Sequence, residues 1–428
     1  MSSSLNHTAL AHLYDACIDS PSMELGRDFP ESEYKLRLKK TRELMSMHGI
    51  DALVVTTSTN GSYFTSKDRP HEWHNLCQTR AAFYILTIDN DYLYMTPGLG
   101  GEHLNSARRR TWVTNIRSVL ERFRDNDRIE LWSIEYMVES FKELGLSKAR
   151  LGWELGDCQT LGMSYNDFNE FRRRMPDGQF LDASPILRKL HQIPTPLQID
   201  RIRKACVAAV KMHEQVVDIV RVGMTEREFA KKMDERFEQL RFDEGYIYHM
   251  FGYHDVRNPR HPEMNLISKT KLTDRPFFDG DVFNRNTSGM SYLGQDADID
   301  RTFYVGRSPP ANVAKWYRVA SKCNEAMAET LKPGVRCSEV FEAENKVTKE
   351  NGLPVRLVGR NGHWANPSGL SIHPDVKIML EPGMVISTEP TLIEDFGYID
   401  IEDIYLITAN GCERLHSMAP SEIPCCGN

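Results

Sequence analysis

Leu380-Glu381-Pro382-Gly383-Met384-Val385-Ile386 runs into Glu389-Pro390, and Gly397-Tyr398-Ile399-Asp400-Ile401-Glu402-Asp403 follows. Glu389 closes an apolar run, and Glu402 sits in an alternating stretch that continues through Ile404, Tyr405, Leu406 and Ile407, which is strand composition. A carboxylate buried in a strand is costly unless a cation or a hydrogen-bond network compensates it. Two of them, 13 residues apart, point to a shared ligand, and the candidate is a metal ion.

Upstream, Gly362-His363-Trp364 and Gly369-Leu370-Ser371-Ile372-His373 supply two imidazoles, and Gln295-Asp296-Ala297-Asp298-Ile299-Asp300 supplies acids ahead of a strand. Asp298, His363, Glu389 and Glu402 compose an oxygen-rich site with one imidazole. Such a donor set suits manganese, iron or cobalt better than zinc. The order Asp, His, Glu-Pro, Ile-Glu-Asp resembles the pita-bread superfamily of methionine aminopeptidase, aminopeptidase P, prolidase, creatinase and a class of dimethylsulfoniopropionate lyases. The resemblance implies a mixed α/β (α+β) chain, with a creatinase-type α/β domain over residues 1–190 and a pita-bread catalytic domain over 191–428. It also implies a homodimer.

The departures from that family carry as much as the match. Its metal-dependent members resemble one another in a further aspartate, upstream of the one matching Asp298 and shortly after a Gly-Asp pair. Gly280-Asp281 is present, but the fifth residue after Asp281 is Asn286, and Asn284 is the neighbouring candidate. An amide carbonyl coordinates a hard cation without neutralising it. The expectation is one retained metal position and one crippled one. A metal-free pocket of the creatinase kind, in which the same residues grip substrate directly, stays open.

His373 lies ten positions after His363, further than in the family, so residues 365–368 resemble a small insertion. An imidazole there suits proton transfer near neutral pH. Relatives hold a catalytic histidine near an Asn-Pro pair. This chain has Arg257 immediately before Asn258-Pro259, with His254 and His261 both close enough to substitute; His261 is taken as the catalytic candidate and Arg257 with Asn286 as substrate contacts. Thr79-Arg80-Ala81-Ala82-Phe83 resembles the creatinase and sulfoniopropionate-lyase strand whose arginine reaches a substrate carboxylate. Guanidinium is the planar fork that such a group needs. Trp73 would offer a ring face to a cationic substrate.

Composition fits an ordinary enzyme. At 428 residues the chain exceeds what one core supports, and 40% hydrophobic with 26% charged residues are globular values. A net charge of -7 argues against nucleic acid, since duplex binding normally needs a concentrated basic face, and the one basic run, Arg108-Arg109-Arg110, reads as a solvated face. Nine scattered cysteines point to reduced thiols and a cytoplasmic protein. Residues 1–30 contain Asp15, Asp19 and Glu24 without an apolar core, unlike a signal peptide. No apolar run approaches the ~18 residues of a membrane span.

Along the chain, residues 31–48 read as a charged amphipathic helix, 50–55 as an apolar strand, and 81–86 with 92–95 as a hairpin. Pro194 and Pro196 suit a domain boundary. Residues 197–220 read as one long helix with Ile199, Ile202, Ala205, Ala209 and Met212 on its apolar face. Val222-Gly223-Met224-Thr225-Glu226 and Lys332-Pro333-Gly334-Val335-Arg336 echo one another as turns after helices.

The function favoured by these residues is hydrolysis of a carbon-nitrogen bond in a small, carboxylate-bearing amino-acid derivative. The alternatives are an Xaa-Pro aminopeptidase or dipeptidase and a dimethylsulfoniopropionate lyase. The lyases resemble carriers of Asp-x-Asp where this chain has Asn284-Arg285-Asn286. A non-catalytic binding module of the histone-chaperone kind is the alternative from another class.

Overall fold

The computed structural model describes residues 29–65, 83–89, 92–98, 111–120, 122–124, 128–130, 134–157, 159–239, 274–287, 290–292, 295–353, 371–394 and 397–427. The chain divides into two compact units, Met1–Leu190 and His191–Asn428.

The first unit contains β1 (Ala52–Val55), β2 (Phe83–Thr87), β3 (Tyr92–Gly98), β4 (Ile116–Leu120), β5 (Arg122–Arg124), β6 (Arg128–Glu130), β7 (Arg150–Trp153) and β8 (Gln179–Asp182). Six of these form one mixed sheet in the order β4-β3-β2-β1-β7-β8. The expected hairpin is β2–β3, antiparallel with Leu86 opposite Tyr92. β1 is buried from end to end, as an all-apolar Ala-Leu-Val-Val strand at the middle of a covered sheet must be.

Helix α1 (Glu31–His48) has the expected bounds and ends on Gly49, whose φ of 65° is the left-handed stop that glycine adopts without strain. Helices α2 (Ser58–Thr65), α3 (Ile134–Glu143), α4 (Tyr165–Arg174) and α5 (Ser184–Gln192) complete the set. Phe141 of α3 and Phe168 and Phe171 of α4 pack around Trp153 of β7. Glu154, next to that tryptophan, is a buried carboxylate fully served by donors. Its oxygens accept from the Thr56 N–H at 2.6 Å, the Thr57 N–H at 3.1 Å and the Asn60 amide at 2.7 Å.

The second unit contains α6 (Pro196–Glu214), α7 (Val216–Ile219), α8 (Glu226–Gln239), β9 (Val282–Asn286), β10 (Met290–Tyr292), β11 (Gln295–Ala297) and β12 (Asp300–Val305). It continues with α9 (Ala311–Thr330), α10 (Cys337–Glu350), β13 (Val385–Thr388), β14 (Thr391–Glu394), β15 (Gly397–Asp400), β16 (Asp403–Ile407), β17 (Cys412–Arg414) and β18 (Cys425–Cys426). The helix expected over 197–220 lapses at Gln215 and resumes as the single turn α7. A Thr195 capping box with Pro196 at the first position starts α6.

The echo between residues 222–226 and 332–336 extends into a repeated hydrogen-bond pattern. Gly223 and Gly334 have φ of 87° and 83°. Their N–H groups donate to Phe277 O at 2.8 Å and Leu380 O at 2.9 Å, and the N–H groups of Phe277 and Leu380 return bonds to Met224 and Val335, both at 2.8 Å. Gly280 donates to Val305 O at 2.7 Å, and Gly383 to Ile407 O at 2.8 Å. The antiparallel pair β9–β12 is therefore the counterpart of β13–β16. In α6, Ile202, Ala205 and Ala209 pack against Ala297 and Ile299 of one half and Val385 and Ile404 of the other. One helix face thus supports both strand pairs.

Candidate active site

The repeat delivers carboxylates to one place because both strand pairs end at the same rung. In β9–β12 the terminal pair is Asn286 opposite Asp300. In β13–β16 the last ladder pair is Thr388 opposite Asp403, and Glu389 and Glu402 are the next residues out. Glu389 and Glu402 thereby stand to their half as Asn286 and Asp300 stand to theirs. Glu402 lies just outside the strand that the sequence assigned it to, because its N–H donates to Asp300 O at 3.1 Å rather than to a β13 partner.

A further carboxylate arrives from the β14–β15 hairpin. Asp400 is opposite Thr391, whose hydroxyl donates to Asp400 Oδ2 at 3.4 Å. Asp300, Glu389 and Asp400 each place a carboxylate oxygen within 4.8 Å of the other two. Asp300 and Asp400 are fully buried, and Glu389 is half-buried. Asp298, after β11, is near enough for its charge to act on both Asp300 and Glu402.

The electrostatics are those of a site short of positive charge. Burial first, then the charges of Asp400, Glu389 and Asp298, push the Asp300 carboxyl well above the usual carboxylate range. The Asn286 amide across the ladder works against this without reaching hydrogen-bonding geometry, and neither Asp300 oxygen meets a donor. Glu402 is driven up likewise, by burial first and then by Asp298, Glu389, Asp300 and Asp400. Glu154 in the first unit shows how the same chain satisfies a carboxylate with a structural role. An all-oxygen set of converging, buried carboxylates fits a hard cation.

Behind the carboxylates lies a polar frame that fixes their backbones. Arg301 Nη1 donates to Asp300 O at 2.8 Å and to Glu402 O at 2.6 Å, while Nη2 meets Asp403 Oδ1 at 2.8 Å. The second Asp403 oxygen faces Arg414 Nε at 3.2 Å. Asn324 donates to Ile401 O at 2.8 Å and accepts from the Tyr405 hydroxyl at 3.1 Å. His416 Nε2 accepts from the Ile404 N–H at 3.0 Å, and its Nδ1 lies 2.8 Å from Ser417 O, which sets the proton on Nδ1. Burial pushes His416 down to about 4.

Of the residues singled out from sequence, Asp298, Glu389, Glu402 and Asn286 lie in this region. His373 is about one-third exposed, its Nδ1 accepts from the Asp375 N–H at 3.3 Å, and its ring is 6.3 Å from that of Phe341. Trp73, Arg80, Arg257, His261 and His363 lie outside the described residues. Asp300 and Asp400 were not singled out. Their signal was parity: each stands two residues from a chosen acid, Asp298 or Glu402, and side chains two apart share a face of extended chain.

Residues 200–409 match the model of metallopeptidase family M24, and residues 37–193 match that of the creatinase/prolidase N-terminal domain. The chain is 24% identical to the ectoine hydrolase of Halomonas elongata over 409 residues, covering 92% of this chain and 97% of the relative. It is 23% identical to a creatinase from a Bacillus species, covering 90% and 91%. It is 25% identical to the Xaa-Pro dipeptidase of Pyrococcus horikoshii, covering 89% and 96%. Among solved structures, dipeptidase PepE from Mycobacterium ulcerans superimposes with a TM-score of 0.75 at 20% identity, over 94% of this chain and 99% of that one. The prolidase of Pyrococcus horikoshii gives 0.70 at 21% identity, over 91% and 100%.

Proposed function

The chain belongs to metallopeptidase family M24 with a creatinase/prolidase amino-terminal domain and is a hydrolase of that family, and from this premise we propose that it cleaves a carbon-nitrogen bond in a small, carboxylate-bearing amino-acid derivative. The observation that carries the reading is Asn286. It stands opposite Asp300 at the position where the resemblance implies an aspartate in a two-metal peptidase, while Asp298, Glu389 and Glu402 are present in the sequence. The near full-length similarity to an ectoine hydrolase and a creatinase supports the same class.

In this reading Asp298, His363, Glu389 and Glu402 hold one divalent ion, of manganese, iron or cobalt character. The ion's contribution is Lewis acidity toward the scissile group. Glu389, half-buried at the mouth of the cluster, is the carboxylate that exchanges a proton with substrate or water. His373 has its Nδ1 occupied as an acceptor, so Nε2 is the atom left to deliver a proton to the departing nitrogen. Arg80 keeps the role of carboxylate fork, Trp73, Arg257 and Asn286 those of substrate contacts, and His261 that of a second base. A homodimer belongs to the same reading. Among the described residues no helix is long and apolar enough to cross a membrane.

The test is product release by full-length protein from ectoine, creatine, Xaa-Pro dipeptides and dimethylsulfoniopropionate. The reading expects turnover of a cyclic amidine or guanidino acid above that of any dipeptide. Turnover confined to Xaa-Pro dipeptides, the reading favoured by the Pyrococcus relative, would overturn it. So would elimination from the sulfonium acid alone.

A further inference from the structure

We infer that Asp300, Glu389 and Asp400 form a binding site for a hard divalent cation, separate from the position assigned to Asp298, His363, Glu389 and Glu402. The inference rests on the reading above only through Glu389, which both positions share.

Three observations carry it. The first is distance. Ligand oxygens about 2.3–2.6 Å from one ion lie at most about twice that distance apart, and the three carboxylates converge within 4.8 Å. The second is Asp300 itself. Its side chain is fully buried and converges with the other two, and the donor that acts on it, the Asn286 amide, stays outside hydrogen-bonding geometry of either oxygen. A carboxylate without donors at that depth is one of the more costly arrangements a fold can hold. Glu154, whose oxygens collect three N–H donors, shows the contrasting way in which this chain serves a buried acid in its first unit.

The third is the internal repeat. It makes Asp300 the counterpart of Glu402 and Asn286 the counterpart of Glu389, so the half that lost an acid at 286 still presents one at the facing position. Asp400 then adds the charge that Asn286 lacks. The Asp400 main chain is pinned on both sides by the Thr302 hydroxyl, at 2.8 and 2.9 Å, which fixes its direction before any ion arrives. Arg301 spends its donors on the main-chain oxygens of Asp300 and Glu402 and on Asp403, not on these carboxylates, and the buried Arg285, close enough for its charge to act on Asp300, makes no hydrogen bond to it. With oxygen donors only, the site selects manganese, magnesium or calcium over softer ions.

The experiment is a titration of chelator-stripped, full-length protein with Mn2+, counting bound ions by the loss of the free-ion resonance signal and following thermal unfolding in parallel. Asp300→Asn and Asp400→Asn are each expected to bind one equivalent fewer than the wild type. Without metal, each should melt at a higher temperature than the wild type, because a buried like charge is gone, and each should gain less on adding Mn2+. These opposed shifts separate a lost ion from a damaged fold. If Asp300→Asn fails to fold, Asp400→Asn decides alone. Unchanged stoichiometry in a folded variant, or no Mn2+ bound by the wild type, overturns the inference. An altered KM for a cationic substrate with unchanged Mn2+ binding overturns it too. The substrate panel above is scored without reference to metal count, so either proposal can fall alone.

Discussion

Thr302 Oγ1 accepts from the Asp400 N–H at 2.8 Å and donates to the Asp400 carbonyl at 2.9 Å, so one hydroxyl clamps a residue 98 positions away on both sides of its Cα. A hydroxyl is the smallest group able to donate and accept at once. Through this clamp, β12 sets where the Asp400 carboxylate stands relative to Asp300.

Thr302→Val keeps the shape and removes both bonds, taking the acceptor from the buried Asp400 N–H and leaving its carbonyl the long 3.5 Å contact from the Asn284 amide. The expected loss is about 1–3 kcal/mol of stability, read by urea unfolding, together with loss of the Mn2+ equivalent assigned to Asp300, Glu389 and Asp400. Thr302→Ser, which restores the hydroxyl, should recover most of both.

Arg301 ties the backbones of Asp300 and Glu402 to the carboxylate of Asp403. Arg301→Met strands a buried carboxylate that Arg414 alone then faces, and is expected to cost roughly 3–5 kcal/mol. Arg301→Lys should rescue little, because an ammonium cannot span two carbonyls and a carboxylate with one planar fork. Denaturant midpoints of the three proteins, at matched m-values, check this.

His416 is held neutral by burial, its folded value depressed to about 4 from an ordinary 6.5. A depressed histidine binds fewer protons folded than unfolded, so the stability tied to its neutrality is whole above pH 6.5 and drains as pH falls toward 4. The integrated loss is about 3 kcal/mol. Comparing wild type with His416→Asn by unfolding at pH 7.5, 6, 5 and 4 should show the difference shrinking over that window. A difference independent of pH would contradict the assignment.

Asn286→Asp restores an acid opposite Asp300. In chelator the variant should lose roughly 1–3 kcal/mol from one more buried like charge, and saturating Mn2+ should return more stability to it than to the wild type. Thermal unfolding with and without metal reads both signs.

Much of this was legible in local sequence. The charged helix over 31–48 and the hairpin joining Leu86 to Tyr92 follow from short-range periodicity and turn residues, whereas the ladder register that brings Glu389 opposite Glu402 just beyond the strand ends does not. Asn286 is singled out by counting past Gly280-Asp281 against the resembled family, and the ladder sets it opposite Asp300. For Asp300 and Asp400 the parity with Asp298 and Glu402 is the local signal, while their approach across 100 residues is set by ladder register and the Thr302 clamp, which no local pattern carries. The Arg301–Asp403–Arg414 frame was hidden for the same reason. The lapse of the long helix at Gln215 has no marker in its sequence, which contains neither glycine nor proline there.

The most direct test of the cation site at Asp300, Glu389 and Asp400 is a crystal structure of the full-length protein grown with Mn2+, with anomalous density mapped around Glu389. The account predicts a peak in contact with the Glu389 carboxylate and bounded by Asp300 and Asp400. An ordered site in which these three carboxylates stand apart, with no anomalous density between them, would contradict it.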